Sequence, residues 1–158
     1  MLTIRGHLQP TDALDAHALG SADFGSSLVL SRILVGYNEA GLPVNADVQT
    51  GRAKVRGDWT ASDLIVGATA GLDGLFGTDD DVLISGGGSI VAKLAKVVIK
   101  GRITGTMDGA DSFGVVAEEI GAAKLENRTQ ALVSGARNDL QGIRFGADLD
   151  FLLREVQG

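Results

Sequence analysis

Two short elements alternate along this chain, and they restrict what it can fold into. The first is a β-branched residue, a base and a glycine: Thr3-Ile4-Arg5-Gly6, Lys54-Val55-Arg56-Gly57 and Val98-Ile99-Lys100-Gly101. The second is an apolar run that follows a charged residue and closes on glycine. It reads Arg32-Ile33-Leu34-Val35-Gly36, Asp63-Leu64-Ile65-Val66-Gly67 and, shorter, Glu118-Glu119-Ile120-Gly121. β-Branched residues suit pleated strands, and glycines suit tight corners. The gaps between copies are irregular, as in a solenoid whose strands keep register while its loops vary. Such a coil points its Ile and Val inwards and its bases outwards. The expected fold is therefore all-β, a parallel β-helix (β-solenoid) of about six short coils at roughly 20–25 residues each. An antiparallel β-sandwich or barrel is the alternative.

Composition agrees with many short strands joined by turns. Glycine makes up 23 of 158 residues and proline only 2, well above the usual glycine share. At 44% apolar residues the chain can bury a core and is read as a single domain, 1–158, with an irregular stretch over 1–50. The net charge is −6 and the 14 Lys and Arg are scattered singly. A nucleic-acid surface needs a basic patch, so that class is set aside. The absence of cysteine removes disulfides, thiolate metal sites and cysteine nucleophiles. No apolar run is long enough to span a membrane as a helix. The start, MLTIRGHLQP, has no hydrophobic core of a secretory signal, so export would use a signal outside this chain.

Local reading fills in the strands. Leu28-Val29-Leu30 and Ile33-Leu34-Val35 read as two strands broken by a polar corner, and Ala53, Val55 and Gly57 alternate with Lys54 and Arg56. Ser89–Thr106 has a partial helical spacing, but Val97-Val98-Ile99 and Ile103-Thr104 are β-branched, so strand is expected throughout. Phe113–Leu125 is ambiguous: its Ala-Glu-Glu-Ile favours helix, its glycines short strands. In the last stretch Leu149, Phe151 and Leu153 alternate as in a strand. Leu2-Thr3-Ile4 reads as an uncapped first strand that invites a further strand from a second copy or an upstream coil; the alternative is that His7–Gly20 folds back over it as a partial lid.

The densest chemistry lies in Leu64–Gly88, LIVGATAGLDGLFGTDDDVLISGGG. Between two apolar runs it carries Asp73, Asp79, Asp80 and Asp81. Four carboxylates so close repel one another unless water or a cation screens them. Glycines 71, 74 and 77 permit positive φ, so that several oxygens can converge, and a hard cation such as Ca²⁺ takes six to eight of them. The expectation is a Ca²⁺ loop that pins two strands, with Asp73, Asp79, Asp80 and Asp81 as ligands; the bland reading is a solvated acidic turn. The EF-hand pattern fails, since Leu75 and Ile84 stand where its third and twelfth ligands belong. The secreted nonapeptide repeat is met only in part, by Gly74, Gly77 and Asp79.

Several segments resemble a C-terminal β-helix module of large secreted and surface repeat proteins of planctomycete-like environmental bacteria. They are GDWTASDLIVG (57–67), GLDGLFGTDDD (71–81), IKGRITGT (99–106), FGVVAEEIG (113–121) and the strand over 150–156. The resemblance covers roughly 51–156 and implies a right-handed β-helix in an extracellular or cell-surface setting. It brings no catalytic residues.

Catalytic motifs are missing. The two histidines, His7 and His17, fall in a weakly structured stretch and read as solvated. No nucleophile elbow, phosphate loop or dinucleotide fingerprint occurs. Asp108 with Asp111, or Asp79 with Asp81, are the carboxylate pairs a glycosidase would need. Two function classes follow. One is a non-catalytic structural or adhesive module, Ca²⁺-stabilised, that associates with itself or with neighbouring domains. The other is a carbohydrate-active β-helix, a lyase or hydrolase with Arg56 or Lys100 as base and Trp59 and Tyr37 as stacking rings, or a binder of surface glycans.

Overall fold

The computed structural model describes residues 18–38, 40–87, 89–106, 111–146 and 149–158. The expected strand at Met1–Gly6, residues 7–17 of the alternative lid, both histidines and Asp108 lie outside them, while residues 18–20 of that lid belong to a strand. The described chain is all-β, built from mostly parallel sheets with no closed barrel. The helix option for 89–106 and for 113–125 does not occur; both segments are strands.

The first passage of the chain is β1 (Ala18–Phe24), β2 (Leu28–Val29) and β3 (Arg32–Val35). The second is β4 (Gln49–Val55), β5 (Trp59–Thr60) and β6 (Asp63–Val66). Each strand of the second passage pairs in parallel with its counterpart in the first: Ala22 with Ala53, Leu28 with Trp59, Ile33 with Leu64. The hairpin strands β7 (Ala68–Thr69) and β8 (Val82–Leu83) come next. The third passage is β9 (Lys93–Ile99), β10 (Ile103–Thr104) and β11 (Phe113–Ala117), again parallel to the one before. A fourth level consists of β12 (Glu119–Ile120) and β13 (Ala123–Leu125) on β9, and β16 (Phe151–Glu155) on β11. Two antiparallel strands sit at that end, β14 (Arg128–Thr129) on β13 and β15 (Ile143–Phe145) on β16.

The repeats explain the register. Lys54 stacks on Val98 and Val55 on Ile99, so the two described copies of the first element lie one above the other. Their closing glycines stack too, with the Gly101 N–H donating to the Gly57 carbonyl at 3.0 Å. A side chain on Gly101 would run into that carbonyl and the Asp58 carboxylate, which is why glycine ends the element. In the second element, Arg32 to Val35 stack on Asp63 to Val66. Its expected third copy does not join them. Val115-Val116-Ala117 takes that place, and Glu119-Ile120 pairs with β9 in a different sheet. Among the described residues before 50, β1 to β3 pair in parallel with β4 to β6.

Levels repeat at offsets of 31, 44 and 26 residues in the sheet of β1, β4, β9 and β13 and of 31, 51 and 38 in the sheet of β3, β6, β11 and β16, longer than the expected coil. The described strands accordingly make four levels rather than six, because excursions between strands absorb the extra chain. Between the sheets lies a hydrophobic core that includes Val55, Trp59, Leu64, Ile99, Ile103, Leu125, Phe151 and Leu153. The Trp59 ring meets Phe151 edge-on, with centroids 6.0 Å apart, a favoured aromatic geometry. Sheet β3-β6-β11-β16 is covered on both faces. Its outer face carries a second cluster of Ile65, Ala68, Phe76, Val116 and Val156. The alternation expected in the last strand is therefore lost: every residue of β16 is buried, and Leu149 lies exposed.

Candidate functional site: the acidic loop

The acidic segment is the tip of the β7–β8 hairpin, laid over the outer face of sheet β3-β6-β11-β16. Ala68 pairs with Leu83 and Thr69 with Val82 at its base. Phe76, half-way along, anchors it in the outer cluster, where Arg32 stacks 5.9 Å from the ring centroid. Of the three loop glycines, Gly74 and Gly77 take positive φ, as a close turn requires. Gly71 instead leaves room for the Asp80 carboxylate, which would collide with any side chain there.

The four carboxylates are brought into one loop but do not converge on one point. Asp80 Oδ2 accepts the Leu72 and Asp73 N–H groups at 2.6 and 3.2 Å, and its Oδ1 accepts the Thr78 hydroxyl at 2.7 Å. That hydroxyl holds the Asp80 carboxyl below its ordinary value. Asp81 Oδ2 accepts the Gly77 and Thr78 N–H groups at 2.8 and 3.1 Å. Asp73 Oδ1 accepts the Leu75 N–H at 2.8 Å. Asp79 is 95% exposed. Three of the four acids thus serve as local caps for turn N–H groups, a common use of aspartate in loops.

Charge screening has a source that the local sequence does not show. Arg154 of β16 is buried, and its Nη1 donates to the Thr78 carbonyl and lies 3.4 Å from Asp79 Oδ1. One oxygen is left over: Asp81 is 4% exposed and its Oδ1 has no hydrogen-bond partner. Burial pushes the Asp81 carboxyl up to about 7, against the pull of its two N–H donors and Arg154. The oxygens are of the kind Ca²⁺ selects. Among the described residues, however, no group of three or more His, Asp or Glu is placed to hold a metal ion.

The other candidates are placed elsewhere. Trp59 is 1% exposed, and its indole N–H donates to the Ser62 carbonyl, so its ring is packed in the core. The Tyr37 hydroxyl donates to the Ala68 carbonyl. Arg56 forms a two-pronged pair with Asp23 at 2.9 and 2.8 Å, whereas Lys100 is exposed. Asp111 accepts the Thr106 hydroxyl. No groove joins Trp59, Arg56 and a carboxylate pair among the described residues.

Three buried acids stand out that sequence reasoning passed over. Glu155 is fully buried; its Oε1 accepts the Ile120 N–H at 2.8 Å, and its Oε2 accepts those of Asn138 and Asp139 at 2.8 and 3.3 Å. Glu118 accepts the Ala92 N–H at 2.8 Å through one oxygen and pairs with Arg137 through the other. Asp63 accepts the Gly114 N–H at 3.0 Å and faces Arg32 at 3.3 Å, while burial pushes its carboxyl up to about 6. Asp63 and Glu118 each tie one level of strands to the next, and Glu155 joins β16 to β12 and to the loop beyond β14 within the last level. The signal available for them was slight: an acid at the edge of an apolar run, as in Asp63-Leu64-Ile65-Val66.

No helix among the described residues is long and apolar enough to cross a membrane. No family model, curated protein or solved structure matches the chain.

Proposed function

We propose that this chain is a non-catalytic structural or adhesive module of a bacterial extracellular or cell-surface protein, folded as a right-handed parallel β-solenoid. The observation that carries the reading is the ladder itself. Three strands recur in the same order, each stacked in parallel on its predecessor, with apolar residues at the inward ranks. Polar groups in this frame mostly close turns, as Asp80 and Asp81 do, or join strands across or within levels, as Glu118 and Glu155 do. The resemblance to the C-terminal modules of surface repeat proteins agrees with that design.

The module associates through its first level, with a second copy or with a neighbouring domain. What supports this is an asymmetry between the ends. Among the described residues, β1, β2 and β3 pair on one side only, whereas antiparallel β14 and β15 close the far end. A strand row paired on one side is a template for further pairing. Ca²⁺ belongs to the same proposal as a ligand of the 73–81 loop, supported by the density of its carboxylates and by the unpaired Asp81 Oδ1.

Light scattering over a concentration range tests association, with growth of the apparent mass expected and a monomer at high concentration counting against it. Melting in millimolar Ca²⁺ against a chelator tests the loop. A ligand that binds only the native state adds about 2.7 kcal/mol at a hundredfold excess over its Kd, and an unchanged Tm removes calcium from the proposal. The ladder is tested with paired cysteines at exposed, stacked Arg52 and Lys96. Parallel neighbours lie within disulfide reach, so Arg52→Cys with Lys96→Cys should oxidise readily and Arg52→Cys with Lys100→Cys should not.

A further inference from the structure

Bases scattered along the sequence meet at the closed end of the sheets. Arg102 lies in the corner before β10, Arg128 opens β14 and Arg144 is the middle residue of β15. Together with Glu126, Phe145 and Leu149 they line an open pocket of roughly 370 Å³, within the range of small-ligand sites. Elsewhere Arg32, Arg56, Arg137 and Arg154 each face a carboxylate. In the pocket, the guanidinium groups of Arg102 and Arg128 have no ion pair or hydrogen bond among the described residues. Arg144 donates to the Leu149 carbonyl at 3.3 Å and pairs with no acid there.

Three guanidinium groups around one hollow repel each other, and an oxyanion between them relieves that repulsion. Their planar forks match a carboxylate in two-pronged fashion. The rest of the wall narrows the choice of ligand. Glu126 is held by the Ile103 N–H, which donates to its Oε1 at 2.7 Å, so Oε2 is available to accept from a hydroxyl. The half-buried Phe145 ring and the exposed Leu149 side chain supply an apolar surface for the C–H face of a small ring. A carboxylate, hydroxyls and an apolar ring face occur together in a uronic acid. We propose that this pocket binds a uronate unit of an acidic polysaccharide, the arginines holding its carboxylate and Glu126 a hydroxyl. The proposal stands on the pocket alone and does not depend on the structural-module reading.

Calorimetric titration of the whole chain with trigalacturonic acid tests it, with the neutral trigalactose and inorganic phosphate as comparisons. The uronate should bind and the neutral sugar should not. Arg102→Ala and Arg128→Ala change exposed side chains and should leave Tm unchanged, while each weakens binding by about tenfold or more, the usual loss for a charge-assisted contact. Arg102→Lys should restore only part of the affinity, because it keeps the charge but loses the fork. Absent uronate binding, equal binding of the neutral sugar, or undiminished affinity in the double alanine variant would overturn the proposal. Phosphate binding as tight as uronate would overturn the sugar assignment and leave a plain anion pocket.

Discussion

Replacing Glu155 by glutamine should cost this protein about 2 kcal/mol, and replacing it by alanine about 4 kcal/mol. The side chain is fully buried and its two oxygens accept three backbone N–H groups, from Ile120 in β12 and from Asn138 and Asp139 in the loop beyond β14. Glutamine keeps one acceptor oxygen. Turned towards Asn138 and Asp139, it sets its amide NH₂ against the Ile120 N–H and orphans that donor. An orphaned buried donor costs about 1–3 kcal/mol, and bonds to a charged acceptor sit at the upper end. Removing a buried charge returns part of this, since its desolvation cost disappears as well. Alanine orphans all three donors and leaves a void. Total stability for a domain is about 5–15 kcal/mol, so the alanine variant loses a large share of it. Urea unfolding followed by the fluorescence of Trp59, the only tryptophan, measures both; that ring touches Phe151 on the same strand as Glu155. Amide exchange at Ile120 and Asn138 should quicken before global unfolding. A glutamine variant within about 0.5 kcal/mol of wild type, with both amides still protected, would refute the view that this carboxylate joins β16 to β12 and to the loop beyond β14.

Two further outcomes follow from burial and charge. Ile99→Asp should unfold the chain, because the side chain is fully buried between Val55 and Leu125 and an unpaired carboxylate there costs several kcal/mol. Lys100→Asp, one residue on and exposed, should melt near wild type, and similar behaviour of the two would show that the register is wrong. Asp63 has a folded pKa of about 6 against an ordinary 3.8, so between these values the folded state holds more protons than the unfolded. Its contribution to stability is full below about pH 4 and is lost as pH rises through about 6. Asp63→Asn should flatten that part of the stability–pH curve, and an unchanged slope in urea titrations across this range would count against the burial argument.

The ladder was legible in the sequence because its causes are local. Alternation in Lys54-Val55-Arg56-Gly57 sets which side chains face in, glycine allows the corner, and the same pattern in Val98-Ile99-Lys100-Gly101 stacks directly on it. The clustering of Asp73, Asp79, Asp80 and Asp81 in one loop was equally plain, as was the absence of a nucleophile motif. Glu118-Glu119-Ile120-Gly121 misled, because a short motif does not say which sheet it enters; Val115-Val116-Ala117 took the expected place. What neutralises a carboxylate was beyond any local reading. The loop's acids accept from their own turn N–H groups, and the cation beside them is Arg154, 75 residues from Asp79. Charges act through space, so chain position does not predict their neighbours. The same holds for Arg102, Arg128 and Arg144, single scattered bases in sequence that only the stacking of corners and end strands brings around one pocket.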